Sequence, residues 1–252
     1  MELGLSGKRA VVTGGSKGIG RAIALGLAEE GVDVAICARS DGPLQEARTV
    51  IEAAGVRAHA ETCDVGDAAA LNGFLDNAHA ALGGVDIFVS NVSALGAGDD
   101  LDAWQANISL DLMGAVHGVR RVAPWMAEAG GGSIVLISSI AGIEAGSTAA
   151  PYAATKAALI SYSKSLAISL APQGIRVNAV APGSIEFEGG VWDRARKHNP
   201  ERYQRTLARI PFGRMGRPEE VADAVTYLVS ERAGWVSGAC LSVDGAQHKA
   251  IF

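Results

Sequence analysis

The chain switches repeatedly between two hydrophobic rhythms. "KRAVVT" (8–13) is a short apolar run, as in a strand buried on both faces, and "GRAIALGLAEEG" (20–31) then spaces Ile23 and Leu27 about one helical turn apart before stopping at Gly31. "VDVAICA" (32–38) is the next strand. The alternation continues with a helix near 42–54, strand "RAHAETC" (57–63), a helix near 67–81, strand "VDIFVS" (85–90), a helix near 102–127, strand "GSIVLIS" (132–138), a helix near 151–171 and strand "IRVNAV" (175–180). Strands separated by helices predict βαβ crossovers, and so an α/β fold with a doubly wound parallel sheet covered by helices on both faces.

Between about 184 and 217 the rhythm breaks into a stretch richer in charge and aromatic residues, the usual character of a substrate lid. "PEEVADAVTYLVS" (218–230) restarts a helix and "GACLSVDGA" (238–246) supplies the last strand. No repeat or linker divides the chain, so one domain is expected over 1–252. The net charge of −5 argues against a nucleic-acid partner, and no apolar run is long enough for a membrane span. "MELGLSGKRAVV" lacks the features of a leader, which with the odd cysteine count makes the cytoplasm the expected location and Cys37, Cys63 and Cys240 buried thiols.

"TGGSKGIG" (13–20) lies between the first strand and the first helix and holds Gly14, Gly18 and Gly20, with Ser16, Lys17 and Ile19 among them. Glycines here permit a tight turn and let backbone N–H groups approach a pyrophosphate at a helix start; the alternative is a plain tight turn. The second strand ends in Ala38, Arg39 and Ser40, without the acidic residue that would take the ribose hydroxyls of NAD. A guanidinium beside Ser40, helped by Lys17, suits the 2′-phosphate of NADP, unless these are solvated surface residues. NADP is therefore the expected cofactor, with NAD as second choice.

Ser139 follows the fifth strand, and Tyr152 and Lys156 lie four apart at a helix start, on one face. A phenol with an unperturbed pKa of about 10 is a poor base, but a lysine cation beside it favours the phenolate, as proton exchange with an alcohol or carbonyl oxygen requires.

Together with "TGGSKGIG", this Ser139 and Tyr152-x-x-x-Lys156 pattern resembles the short-chain dehydrogenase/reductase family along the whole chain, in particular its 3-oxoacyl-reductase-like branch. The resemblance implies a Rossmann-type domain that transfers a hydride between nicotinamide and a small or medium ketone or secondary alcohol, here in the direction of NADPH-dependent carbonyl reduction. It gives Tyr152 the role of general acid or base, Lys156 that of holding the nicotinamide ribose, and Ser139 that of bonding the substrate oxygen. It places Asp64 and Val65 beside adenine, and Pro182, Gly183 and Ile185 beside the nicotinamide. A homotetramer, or a homodimer, is implied as well.

Three positions depart from the family pattern. Counting from Trp104, its fourth catalytic residue, an Asn, is replaced by Asp111. The carboxylate is expected to stabilise the Lys156 cation, partly cancel its pull on Tyr152, and move the activity optimum to higher pH, directly or through a water; Asn107, one turn earlier, could supply an amide instead. "VSNVS" (89–93) keeps Asn91 but adds Val92 and Ser93, which are expected to crowd the adenosine. Phe187 stands where the family commonly has a Thr against the cofactor, leaving Ser184 to compensate and making Phe187 a candidate wall for the substrate together with Trp192.

Arg194, Arg196, Lys197, Arg202 and Arg205 around Trp192 and Tyr203 could receive an anionic substrate or form a solvated face. Carrier-protein thioester reductases of this family commonly carry basic residues where this chain reads "APQGIRVN" and "APWMAEAGGG", so a 3-oxoacyl thioester (acyl-carrier-protein or CoA) substrate is an alternative. A catabolic NAD-dependent alcohol dehydrogenase and a dinucleotide sensor without turnover are two more. The five histidines lack ligand spacing, and no metal is expected.

Overall fold

The computed structural model describes residues 2–95, 98–145 and 149–251. Strands β1 (Arg9–Thr13), β2 (Asp33–Ala38), β3 (Ala58–Thr62), β4 (Ile87–Ser90), β5 (Gly132–Ile137), β6 (Ile175–Pro182) and β7 (Cys240–Val243) form one parallel sheet in the order β3-β2-β1-β4-β5-β6-β7. Helices α1 (Gly18–Glu29), α2 (Asp41–Ala53), α3 (Ala68–Leu82), α4 (Leu101–Asn107), α5 (Gly114–Glu128), α6 (Ala150–Leu170) and α9 (Pro218–Val229) fill the crossovers, and α7 (Val191–His198) and α8 (Pro200–Leu207) lie in the charged stretch after β6.

The apolar runs explain the two layers of core. Alternate residues of a strand point to opposite faces. Ala10, Val12, Val34 and Ile36 pack with Ile23 and Leu27 of α1 and Val221 and Val225 of α9, whereas Val11, Ala35 and Phe88 pack with Phe74 of α3, Val119 of α5 and Leu159 of α6. The strand order reverses between β1 and β4, which opens a crevice at the carboxyl ends of the strands, where ligands of such sheets bind.

Structure and pattern differ in three places. The single helix expected near 102–127 is α4 and α5 joined by a π-helical segment, Ile108–Met113. The final strand covers only Cys240–Val243 of the stretch read as strand, and Cys240, at the sheet edge, is partly exposed rather than buried. Cys37 and Cys63 are buried, and a hydrogen bond between their thiols pushes Cys37 up and Cys63 down from the ordinary thiol range. The charged stretch contains two short helices that the apolar periodicity did not announce: Asp193 pairs Arg196 and Lys197 at helical spacing, and Asn199 caps α8 with Pro200 at its first position.

This stretch returns to the sheet through Glu186 N–H to the Gly216 carbonyl (2.8 Å) and Gly216 N–H to the Ser184 carbonyl (2.9 Å). Its far end is fixed by Glu220 in the first turn of α9, whose carboxylate accepts bonds from Arg214 (2.8 and 2.5 Å) and from the Arg217 N–H (2.8 Å). Chiefly the Arg214 bond holds the Glu220 carboxyl at about 2 against an ordinary 4.5. Because the folded value is depressed, this contribution is present above the unfolded value and is lost as pH falls through the folded one. Between about pH 5 and about pH 2.5, the urea midpoint of the wild type is expected to fall more steeply than that of Glu220→Gln; parallel curves would show that the contact does not fix this end of the segment.

Candidate active site

The loops after β1, β2 and β3 lie side by side, because Thr13 pairs with Cys37 and Cys37 with Glu61. In the first of them Gly14 adopts φ +71° and Gly18 φ +56°, backbone that favours glycine. The Gly14 N–H bonds the Cys37 carbonyl at 2.9 Å, and a side chain on Gly20 would run into the Gly14 carbonyl and the Asn91 amide. Asn91 fastens this turn to the end of β4, its Nδ2 donating to the Thr13 carbonyl at 3.1 Å. Lys17 is the extended N-cap residue of α1 and its side chain caps none of the N–H groups of Gly18, Ile19 and Gly20. A backbone cradle ahead of an uncapped helix start fits a dinucleotide pyrophosphate.

Around this cradle, Lys17, Arg39 and Ser40 are exposed, and no acidic residue within the described chain pairs with Arg39. Asp64 is exposed and folds back on the Gly66 N–H (3.0 Å), while Val65 is buried against Gly114. Val92 abuts Gly14. Ser93 does not face the adenosine end: its hydroxyl bonds Asp111.

Ser139 opens a turn of 3-10 helix, Ile140–Gly142, and its Oγ accepts the Ala141 N–H at 3.2 Å. That turn lies so close to α6 that a side chain on Gly142 would fall 2.6 Å from the Lys156 carbonyl carbon, and Ser138 Oγ donates to the Lys156 carbonyl at 2.7 Å. β5 and α6 are thereby locked together at the level of Ser139 and Lys156. Lys156 is 2% exposed; its Nζ lies 5.6 Å from the centre of the half-buried Tyr152 ring and donates to the Ile137 carbonyl at 3.0 Å.

The same Nζ is 3.1 Å from Oδ2 of Asp111, which projects from the π-helical segment and is 1% exposed. The contact is a direct ion pair. Ser93 Oγ donates to Asp111 Oδ2 at 2.6 Å and the Ala94 N–H to Oδ1 at 2.7 Å. Asn107 does not take over the role of an amide donor here: its Nδ2 is spent on the Ala103 carbonyl at 2.8 Å.

After β6, the Gly183 N–H bonds the Val243 carbonyl at 2.9 Å, and Pro182 and Ile185 are buried. The bonds to Gly216 come from the residues on either side of Ile185, leaving its own N–H and C=O outside them. Ser184, the residue left to compensate for the missing Thr, is tied to Gln247: its hydroxyl accepts from Gln247 at 3.0 Å and its N–H donates back at 2.9 Å. The Phe187 ring lies on the glycine turn, where a carbon added to Gly18 would be 2.5 Å from the ring. Trp192 carries the Arg202 guanidinium 5.3 Å from its ring centre. Arg196 and Lys197 are bound to Asp193 at 2.8 Å each, so neither is free for an anionic substrate. A cavity of about 490 Å³ lined by Glu186, Tyr203, Arg214 and Arg217 includes none of Ser139, Tyr152 and Lys156.

Comparison with known proteins agrees with this arrangement. The family described as enoyl-(acyl carrier protein) reductase matches residues 14–248. L-rhamnose 1-dehydrogenase (NAD(P)(+)) of a Sphingomonas species is 41% identical over 97% of both chains. The solved L-sorbose reductase of Gluconobacter frateurii, complexed with NADPH and L-sorbose, superposes with a TM-score of 0.92 at 33% identity over the full length of both chains. An NAD⁺-bound xylitol dehydrogenase superposes with a TM-score of 0.90 at 28% identity, over 96% of this chain and 99% of the other. With its seven-stranded parallel sheet, its glycine turn and its Ser139, Tyr152 and Lys156 at the strand ends, the chain belongs to the short-chain dehydrogenase/reductase family, NAD(P)-dependent enzymes acting on CH–OH and C=O groups.

Proposed function

We propose that this enzyme uses NADP in preference to NAD and interconverts the ketone and secondary-alcohol forms of a small, polyhydroxylated substrate, with reduction as its main direction. The observation that carries the chemistry is the placement of a buried lysine ammonium against the Tyr152 ring, with Ser139 on the adjoining turn. The substrate class draws on the relatives, whose names specify L-rhamnose, L-sorbose and xylitol.

The Gly14–Gly20 turn would hold the pyrophosphate, Lys17, Arg39 and Ser40 the 2′-phosphate, Asp64 and Val65 the adenine, and Pro182, Gly183 and the Ile185 backbone the nicotinamide end, with Asn91 fixing the turn. A bound nicotinamide dinucleotide supplies or accepts the hydride. In reduction, Tyr152 gives its phenolic proton to the substrate oxygen while Ser139 donates a hydrogen bond to the same oxygen; in oxidation Tyr152 takes the proton back. Lys156 stabilises the phenolate by charge, and Asp111 moderates that charge. The segment around α7 and α8 serves as lid, and Phe187 covers the phosphate turn from it. Ile168 of α6, Leu241 of β7 and Trp235 are exposed, apolar surface that supports a homotetramer; the cytoplasm is the proposed location. Among the described residues, no helix is long and apolar enough to cross a membrane.

Replacing Tyr152 by Phe is expected to lower kcat by about 10²–10⁴ on any sugar or polyol the wild type turns over, with dinucleotide binding retained; undiminished turnover would remove Tyr152 from the chemistry. Fluorescence titration should show NADPH bound more tightly than NADH, with Arg39→Ala losing about 10- to 100-fold for NADPH alone. Equal losses for both dinucleotides would refute a 2′-phosphate site at Arg39. In oxidation, Asp111→Asn should move the rising limb of the pH–rate profile about one unit toward acid, since Lys156 then acts on Tyr152 undiminished. An unchanged limb would show that the carboxylate has no part in this balance.

A further inference from the structure

Two of the departures from the family pattern, at positions 93 and 111, meet in space. Asp111 Oδ2 has two donors, Ser93 Oγ at 2.6 Å and Lys156 Nζ at 3.1 Å, and Oδ1 has the Ala94 N–H at 2.7 Å. The two short bonds come from neutral groups of the segment after β4, and the ion pair is the longest of the three. Ser93 Oγ also accepts the Leu95 N–H at 3.2 Å, and Leu95 adopts φ +50°, backbone that a leucine holds only where its surroundings impose it.

We propose that Ser93 is a positioning residue for Lys156, acting through Asp111: its hydroxyl occupies the oxygen that Lys156 shares and limits how far the carboxylate neutralises the ammonium. The inference rests on the reading of Tyr152 and Lys156 as an acid–base pair. Remove the Ser93 hydroxyl, and the freed charge on Oδ2 binds Nζ more strongly, so Tyr152 sees less of the cation. Remove the carboxylate, and Tyr152 sees more of it. Ser93 and Asp111 therefore act with opposite sign on the same phenol, which a merely structural role at either position does not produce.

The charged and titratable groups around Lys156 are few among the described residues. Asp111 faces it from the π-helical segment and Tyr152 from a turn earlier on α6, and β5 offers the Ile137 carbonyl. The arginine of β6, Arg176, is turned to the Leu228, Ser230 and Val236 carbonyls. Glu144, beyond the Ser139 turn, is held by Arg209 and the Lys249 N–H. Asp102 at the start of α4 is exposed.

The test is an ultraviolet titration of tyrosinate in the full-length protein, with the Tyr152→Phe variant subtracted so that the difference reports Tyr152. Relative to wild type, the midpoint should rise by about 0.5–1 unit in Ser93→Ala and fall in Asp111→Asn. Ser93→Thr, which keeps the hydroxyl, should return the midpoint to the wild-type position, and Ser93→Ala should have no effect in the Asp111→Asn background. The inference is overturned if Ser93→Ala leaves the midpoint in place, shifts it in the same direction as Asp111→Asn, or keeps its effect once the carboxylate is gone. The titration needs neither cofactor nor substrate. If the variants show these shifts while the wild type turns over no carbonyl or alcohol, the proposed function alone is contradicted; turnover with a midpoint that Ser93→Ala leaves in place contradicts only the role of Ser93.

Discussion

A buried ion pair holds together the end of this enzyme that we propose to be reactive. Lys156 and Asp111 have side chains 2% and 0% exposed. Removing two charges from water costs more than their attraction returns unless the remaining hydrogen-bonding capacity is also filled. The Ile137 carbonyl takes one ammonium proton, and Ser93 and the Ala94 N–H occupy the carboxylate. Those partners come from the end of β5, the segment after β4, the π-helical segment and α6, so satisfying one pair of charges fixes four pieces of chain relative to one another. The wide π-helical turn fits this constraint, since it is the segment from which the carboxylate reaches the lysine. Tyr152 and Ser139 inherit their places from it, because α6 and the turn after β5 are joined at the Lys156 backbone.

The half proposed to hold the dinucleotide depends on a different constraint, the absence of side chains. Gly20 sits against the Gly14 carbonyl and the Asn91 amide, so α1 can start directly at the turn. The two halves are connected through the end of β4: Asn91 anchors the glycine turn, and two residues later Ser93 reaches Asp111. Phe187 on Gly18 ties the segment after β6 to the same turn.

Most of this framework could be read from the amino-acid order, because it follows from local pattern. Continuous apolar runs with intervening amphipathic stretches gave the strands and helices of the sheet, and the glycine spacing with the Ser139, Tyr152 and Lys156 set pointed to the family. What escaped depends on contacts between distant residues. Ser93 and Asp111 each stood out against the family pattern, yet only the fold brings residues so far apart in sequence into one hydrogen bond. The π-helical turn has no signature of its own in hydrophobic periodicity. α7 and α8 lack an apolar face long enough to register, and their signal lay instead in charge spacing and in the Asn199-Pro200 start. The partners of Ser184 and Phe187 likewise come from residues far away along the chain, Gln247 and Gly18.

The most direct check on this account measures the ion pair itself, without cofactor or substrate. Urea unfolding of Asp111→Asn, Lys156→Met and the double variant, at one pH, gives the coupling between the two groups. Each single variant leaves a buried charge without its counter-ion and is expected to lose about 3–5 kcal/mol, while the double variant, with neither charge, loses less than the sum of the two. Losses that simply add would mean that Lys156 and Asp111 do not depend on each other, and the buried pair would then not be the constraint on which the reactive end is built.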